Sequence, residues 1–236
     1  MYIFKRFRRS LVTLAVICVI AGFGFIRKSV TQTSSKPVTF KTVIIDAGHG
    51  GFDGGASAAD GTAEKDINLK ISLRVRDLLT FAGYNVVMTR TEDTGTEDNS
   101  NASISSRKKS DLKNRLSLMN NDGDTVYVSI HLNKFTTSAA SGAQVFYTPN
   151  FDEARTLGEC IQNSIVSLLQ PENTRTVKKG GGTTYLLKNA KVPAVIVECG
   201  FLSNKGDLSK LKNGEYQNQM AFSISAGIIG YYKAIK

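Results

Sequence analysis

Three short apolar runs constrain what this 236-residue chain can fold into. Val43-Ile44-Ile45, Val126-Tyr127-Val128-Ser129-Ile130 and Ala194-Val195-Ile196-Val197 are rich in β-branched residues and too short for buried helices. They read as buried strands. Helical spacing fills the gaps. Ile67, Ile71, Val75, Leu78 and Ala82 form a stripe over residues 63–82, with Thr62 placed to cap its start and Gly83 to end it. Further strands are expected at Tyr84–Thr89, Gly142–Tyr147 and Tyr185–Leu187, and further helices at Asp111–Met119, 152–169 and 215–234. Residues 91–110 read as a long exposed loop, and 171–183 as a basic, glycine-rich one. The alternation predicts an α/β fold: one domain with a twisted, mainly parallel (mixed) sheet, flanked by helices on both faces. A length of this order is enough for one such core.

Charge divides the chain. Lys5, Arg6, Arg8, Arg9, Arg27, Lys28 and Lys36 fall in residues 1–40, which hold no acid. From residue 41 onward 23 basic residues face 20 acids, so the domain carries +3 of the total +10. That gives no case for a nucleic-acid partner. The basic start precedes an uncharged run from Leu11 to Ile26. Residues 1–28 read as a signal or membrane anchor, with Arg and Lys snorkelling to extend a short span and the domain on the outer side. Cleavage as a secretory signal is the alternative. Polar residues 29–40 form a linker to a domain at 41–236. Of the three cysteines, Cys18 lies in the anchor, and Cys160 and Cys199 read as separate thiols rather than a disulfide.

The chemistry lies where the strands end. The chain has two histidines, and both stand there: His49 after the first run, in Asp46-Ala-Gly-His-Gly-Gly, and His131 after the second. Glu198 ends the third. Open α/β sheets gather ligands just beyond the carboxyl ends of their strands. Taken singly, His49 reads equally well as a turn residue, and His131 as a satisfied core histidine. Together they point to a metal site, since two histidines and a carboxylate with one open position form a catalytic zinc arrangement. Such a site also needs a carboxylate near the metal but not bound to it, as general base. Asp46, Asp53, Glu64, Asp66 and Glu198 are the candidates for the two roles, and the residues alone do not rank them. A thiol nucleophile at Cys199 is disfavoured, because an apolar strand end raises a thiol's pKa.

Val43-Ile-Ile-Asp-Ala-Gly-His-Gly-Gly, Glu64, Thr89-Arg90, Ser129-Ile-His-Leu-Asn133 and Val197-Glu-Cys-Gly-Phe-Leu-Ser-Asn204, in that order, resemble the zinc-dependent N-acetylmuramoyl-L-alanine amidases over essentially all of 41–236. Asp111-Leu-Lys-Asn-Arg115, Gly142-Ala-Gln-Val-Phe-Tyr147, Tyr185-Leu-Leu-Lys188 and Cys199-Gly200 are most similar to the spore germination members of that family. The resemblance implies Zn2+ held by His49, Glu64 and His131, with Glu198 as catalytic acid/base. It implies peptidoglycan as substrate, cut between N-acetylmuramic acid and L-alanine, and a place in the spore cortex where germination depends on it. Residues 132–141 are too few for the autoinhibitory helix that some members carry there, so a regulatory protein partner is an alternative means of control. Arg90 and Arg115 are candidates to pair a substrate carboxylate. Asn133 is a candidate to orient His131 or meet substrate, and Asp46 to support a histidine ligand. Rival readings are a vegetative cell-separation amidase, a non-catalytic peptidoglycan-binding module, and a cysteine hydrolase using Cys199 with His131.

Overall fold

A computed structural model describes residues 41–120, 125–181 and 184–235. The expected anchor and linker, residues 1–40, lie outside the described residues. Six strands form one sheet: β1 (Thr42–Ala47), β2 (Asn85–Met88), β3 (Thr125–Asn133), β4 (Gln144–Tyr147), β5 (Lys178–Lys179) and β6 (Ala194–Phe201). Their spatial order is β2-β1-β3-β6-β4-β5. The first four run parallel, β4 runs antiparallel to β6, and β5 is parallel to β4. The mainly parallel, mixed sheet is as expected.

Helices α1 (Glu64–Phe81), α3 (Asp152–Leu168) and α6 (Gly214–Ala234) cover one face. Ile71, Val75, Leu157, Ile161, Ile224 and Ile228 meet Val43, Ile45, Val128, Ile130, Val195 and Val197 there in one continuous core. The opposite face is smaller: Ile44, Tyr127 and Ile196 pack with Met119 of α2 (Ile104–Met119) and with Leu186 and Leu187 of α4 (Tyr185–Asn189). Side chains alternate along a strand. Asp46, Ser129, His131 and Glu198 therefore share the smaller face, one residue out of step with the core positions.

Several elements depart from the sequence expectations. Thr62 does not cap α1. Its N-cap is Ala63, and the first-turn amides of Glu64 and Lys65 donate instead to the carbonyls of Ala56 and Gly54. Gly83 does end the helix, in the left-handed conformation. Helix α2 starts seven residues before Asp111, capped by Ser103, which accepts from the amide of Ser106. Its inward positions Asp111, Arg115 and Met119 are spaced by four, but two are charged, so no apolar stripe announces it. Tyr185–Asn189 is a short helix, not a strand, since a three-residue apolar run such as Tyr185–Leu187 fits either. The sheet edge beside β4 is taken by Lys178–Lys179 from the expected basic loop. An unanticipated helix, α5 (Lys205–Lys212), is capped by Asn204, and Asn213 caps α6 in turn. Cys160 and Cys199 are free thiols, as expected.

Candidate metal centre and active site

The carboxyl ends of β1, β3 and β6 lie side by side at the centre of the sheet. His131 and Glu198 are register partners on adjacent strands, so both point to the same face. His49 follows β1 on the turn that leads to α1. Glu64 is the first residue of that helix and is buried at 3% exposure.

The four converge. Glu64 Oε2 lies 3.3 Å from His49 Nε2, and Glu64 Oε1 lies 2.9 Å from His131 Nδ1. One nitrogen of each imidazole and one oxygen of Glu64 lie within 4.8 Å of one another, close enough to share one metal ion. His49 Nδ1 is 2.9 Å from Asp53 Oδ2. An ionised carboxylate there requires Nδ1 to carry the proton, leaving the Nε2 lone pair for the metal. Glu64 is held from behind: Leu132 N and Asn68 Nδ2 donate to Oε1, and Ala56 N donates to Oε2. Two glycines leave the necessary room. A Cβ on Gly48 would meet the His131 ring at 2.3 Å, and one on Gly55 would meet both Glu64 Oε2 and His49 at 2.6 Å.

The electrostatics favour a cation. Burial works against ionised Glu64, yet the two histidines hold its carboxyl well below the usual range. Burial works against protonated His49 too, but Asp53 and Glu64 raise it to about 9. A proton there is the competitor that a metal ion displaces. Glu198 differs in kind. Its Oε2 is buried with no hydrogen-bond partner, and burial, joined by the Glu64 charge, pushes its pKa up to about 7. An orphaned buried carboxylate oxygen beside two imidazoles and a second carboxylate is the environment a cation and a proton-carrying substrate atom would complete.

His49 has φ +61°, the left-handed region that costs a non-glycine residue. Two buried arginines impose that turn. Arg90 donates to the carbonyls of Ala47, Gly48, Lys65 and Glu92. Arg115 donates to the carbonyls of Ala47 and His49 and to the carboxylates of Asp46 and Asp111. With 4% and 3% exposure and every guanidinium nitrogen bonded within the protein, both are spent on the fold rather than offered to a substrate carboxylate. They are clamps on the His49 turn instead. Asp46 does not support a histidine. It accepts from Thr89 Oγ1, Ser129 Oγ and Arg115, tying β1 to β3 and α2. The histidine partner is Asp53. Asn133 is half-buried, its Oδ1 accepting from Lys134 N and its carbonyl from Leu202 N. Neither bond reaches His131. Asp66 takes no place in the metal group. Asn68 escaped notice in the sequence, though a polar residue one turn after Glu64 inside an apolar stripe is the signal that marks it. Cys199 points into the large core, on the other face of β6 from Glu198, and burial raises its thiol pKa. That placement removes the cysteine-hydrolase reading.

Comparison with known proteins points the same way. The family described as N-acetylmuramoyl-L-alanine amidase matches residues 43–230. The germination-specific N-acetylmuramoyl-L-alanine amidase of Bacillus subtilis is 38% identical over 198 residues, 84% of this chain and 82% of that one. The CwlD amidase of Clostridioides difficile, solved in complex with the GerS lipoprotein, superposes with TM-score 0.78 at 39% identity, covering 82% of this chain and 99% of that one. An N-acetylmuramoyl-L-alanine amidase from Clostridium difficile 630 follows at TM-score 0.72 and 31% identity, covering 84% and 99%. A cleft built for one metal ion and one free carboxylate, on a domain matched along almost its whole length, identifies this chain as a member of the N-acetylmuramoyl-L-alanine amidase family.

Proposed function

We propose that the metal is zinc, held by His49, Glu64 and His131, and that Glu198 is the catalytic acid/base. The donor set supports this: two imidazole nitrogens and one carboxylate oxygen suit zinc, with a position left for substrate. When bound, zinc supplies a Lewis acid that polarises the scissile carbonyl and makes water nucleophilic near neutral pH. The chain's own residues do the rest. Asp53 keeps the His49 ring oriented through Nδ1. Glu64 is locked by three protein donors. Glu198 takes the proton of the attacking water on its carboxylate and passes it to the departing L-alanine nitrogen. Its raised pKa suits both halves of that transfer, because an acid/base works best near the ambient pH. Asn133, two residues past His131, faces the substrate.

The substrate is peptidoglycan, at the bond between N-acetylmuramic acid and L-alanine. The germination-specific relative of Bacillus subtilis supports the spore cortex as the wall concerned, with muramic-δ-lactam formation and germination downstream. The basic, then apolar, residues 1–28 support a membrane anchor, followed by the linker 29–40 and the catalytic domain 41–236 on the outer side. The lipoprotein bound to the CwlD amidase supports a regulatory protein partner here too.

The observation that carries the reading is the unpartnered Glu198 Oε2 beside the three-residue metal group. The test is digestion of purified peptidoglycan by the full chain in detergent, with mass spectrometry for new amino-terminal L-alanine on released stem peptides. Release that a chelator stops and zinc restores is expected. Release indifferent to chelators would remove the metal from the reaction, and glycan binding without release would leave only a binding module.

A further inference from the structure

The cavity beside His49 and His131, about 170 Å³, does not end at those histidines. Lys108 and Leu112 on its wall also line a second cavity of about 280 Å³ along the outer side of α2. Its other walls are Lys109, Lys113 and Tyr185. Leu112 and Tyr185 are 36% and 40% exposed and provide an apolar floor beneath three lysines. Lys108 is tied to the centre, its Nζ 3.1 Å from the Asp53 carboxylate that orients His49. Lys109 and Lys113 are exposed, and among the described residues neither is in an ion pair. They stand four apart on one helix face, where like charges repel. The only acid of α2, Asp111, is buried and spent on Arg115 and Thr96. The helix thus maintains an uncompensated cationic stripe that leads into the catalytic cavity.

We infer that this trough is the subsite for the stem peptide, and that Lys109 and Lys113 select stems carrying free carboxylates beyond the L-alanine. The inference rests on the amidase reading of the site. The muramyl side of the scissile amide offers neutral hydroxyls, whereas the peptide side carries the acidic groups, so a cationic trough matches the peptide. The lengths agree. From Lys108 to Lys113 the helix rises about 7.5 Å, which an extended peptide covers in two to three residues. Carboxylates one to three positions past the alanine therefore come level with Lys109 and Lys113, while short apolar parts of the stem rest on Leu112 and Tyr185.

The test compares the full chain with K109E/K113E on two synthetic muropeptides that differ only in whether the stem carboxylates are free or amidated. The native chain is expected to favour the free acid by about tenfold in kcat/KM, mainly through KM, because two exposed ion pairs add modestly. Raising ionic strength shrinks that preference. In K109E/K113E the ratio falls to one or inverts, a readout independent of how much of the preparation is folded. Equal rates on both substrates for the native chain, or an unchanged ratio in the variant, would overturn the subsite while leaving the amidase intact. Cleavage of neither substrate by the native chain would remove the amidase reading and the subsite with it. Binding to anionic vesicles that K109E/K113E abolishes, with the substrate ratio unmoved, would assign the stripe to lipid and overturn the proposal.

Discussion

The two faces of the sheet are built to different ends. On one, α1, α3 and α6 seal a continuous layer of Ile, Val and Leu, most of it at or near zero exposure. On the other, β1, β3 and β6 present Asp46, Ser129, His131 and Glu198, and among the described residues the helices packed on that face are α2 and α4. The same strands serve both faces, because a two-residue period lets Ile130 face the core while His131 faces the metal group. Stability is concentrated on the first face, so the second can carry an orphaned carboxylate and a left-handed histidine that no apolar layer would tolerate. Arg115 sits on the chemical face while Arg90 reaches the Lys65 carbonyl of α1, and both are as buried as the core, so together they form the seam between the two.

Glu198→Gln gives the sharpest separation. Turnover should fall by about 10²–10⁴-fold, the usual worth of a general acid/base. Zinc content and the melting temperature should hold or rise, since the change neutralises a buried, unpartnered group. Normal turnover would end its assigned role, and a large loss of stability would show that the two faces are not separable there.

Arg115→Lys should fail on both counts. A lysine cannot reproduce the fork that binds Asp46, Asp111 and two carbonyls. Breaking a buried charge network of this kind costs about 3–5 kcal/mol, and the His49 turn loosens with it, so zinc affinity drops as well. Urea unfolding together with a zinc titration reads both. A fully stable variant that binds zinc normally would show that Arg90 alone holds the turn.

Ile71→Ala belongs wholly to the first face. It should cost about 2–5 kcal/mol in denaturant unfolding, while turnover per folded molecule in the cold stays near normal. Loss of turnover without loss of stability would break the comparison from the other side.

Acid should act through the seam. Burial opposes ionised Asp46, but Arg115, with Ser129 and Thr89, holds its carboxyl well below the ordinary carboxylate range. Its folded pKa lies below its unfolded one, so its contribution is complete above about pH 4 and is lost as pH falls further. Denaturant titrations from pH 6 to pH 3 should show a steeper loss for the native chain than for Asp46→Asn. Parallel slopes would mean that other carboxylates dominate. The smallest effect is expected for Cys199→Ala: about 1 kcal/mol of lost packing and no change in turnover, since the thiol lies in the core. Inhibition of the native enzyme by a thiol reagent that spares this variant would contradict its placement.

Elements with a strong apolar period were legible without the structure. The stripe Ile67, Ile71, Val75 marked α1 to within a residue or two, and the β-branched runs marked β1, β3 and β6. Elements whose inward residues are polar were not. Helix α2 was expected only from Asp111 onward, because no residue of its first two turns is buried and no apolar period marks them. The three-residue run Tyr185–Leu187 was too short to declare a period, and it became part of a helix whose Leu186 and Leu187 pack on the small face. In the site, the histidines and Glu198 were visible as polar residues ending apolar strands. Glu64 was singled out only by family resemblance, because a carboxylate in a helix's first turn is equally explained by the helix dipole.

By itself the sequence determined the layered α/β fold, the location of the chemistry at the strand ends and the family, because each rests on local periodicity or on residue types in order. Only the tertiary structure decided which acid does what. Asp53 serves His49, Asp46 binds Arg115, Glu64 joins the metal group and Glu198 stays unpartnered. Carboxylates are chemically alike in a chain, and their roles diverge only when folding brings each one a different neighbour: an imidazole, a guanidinium or none.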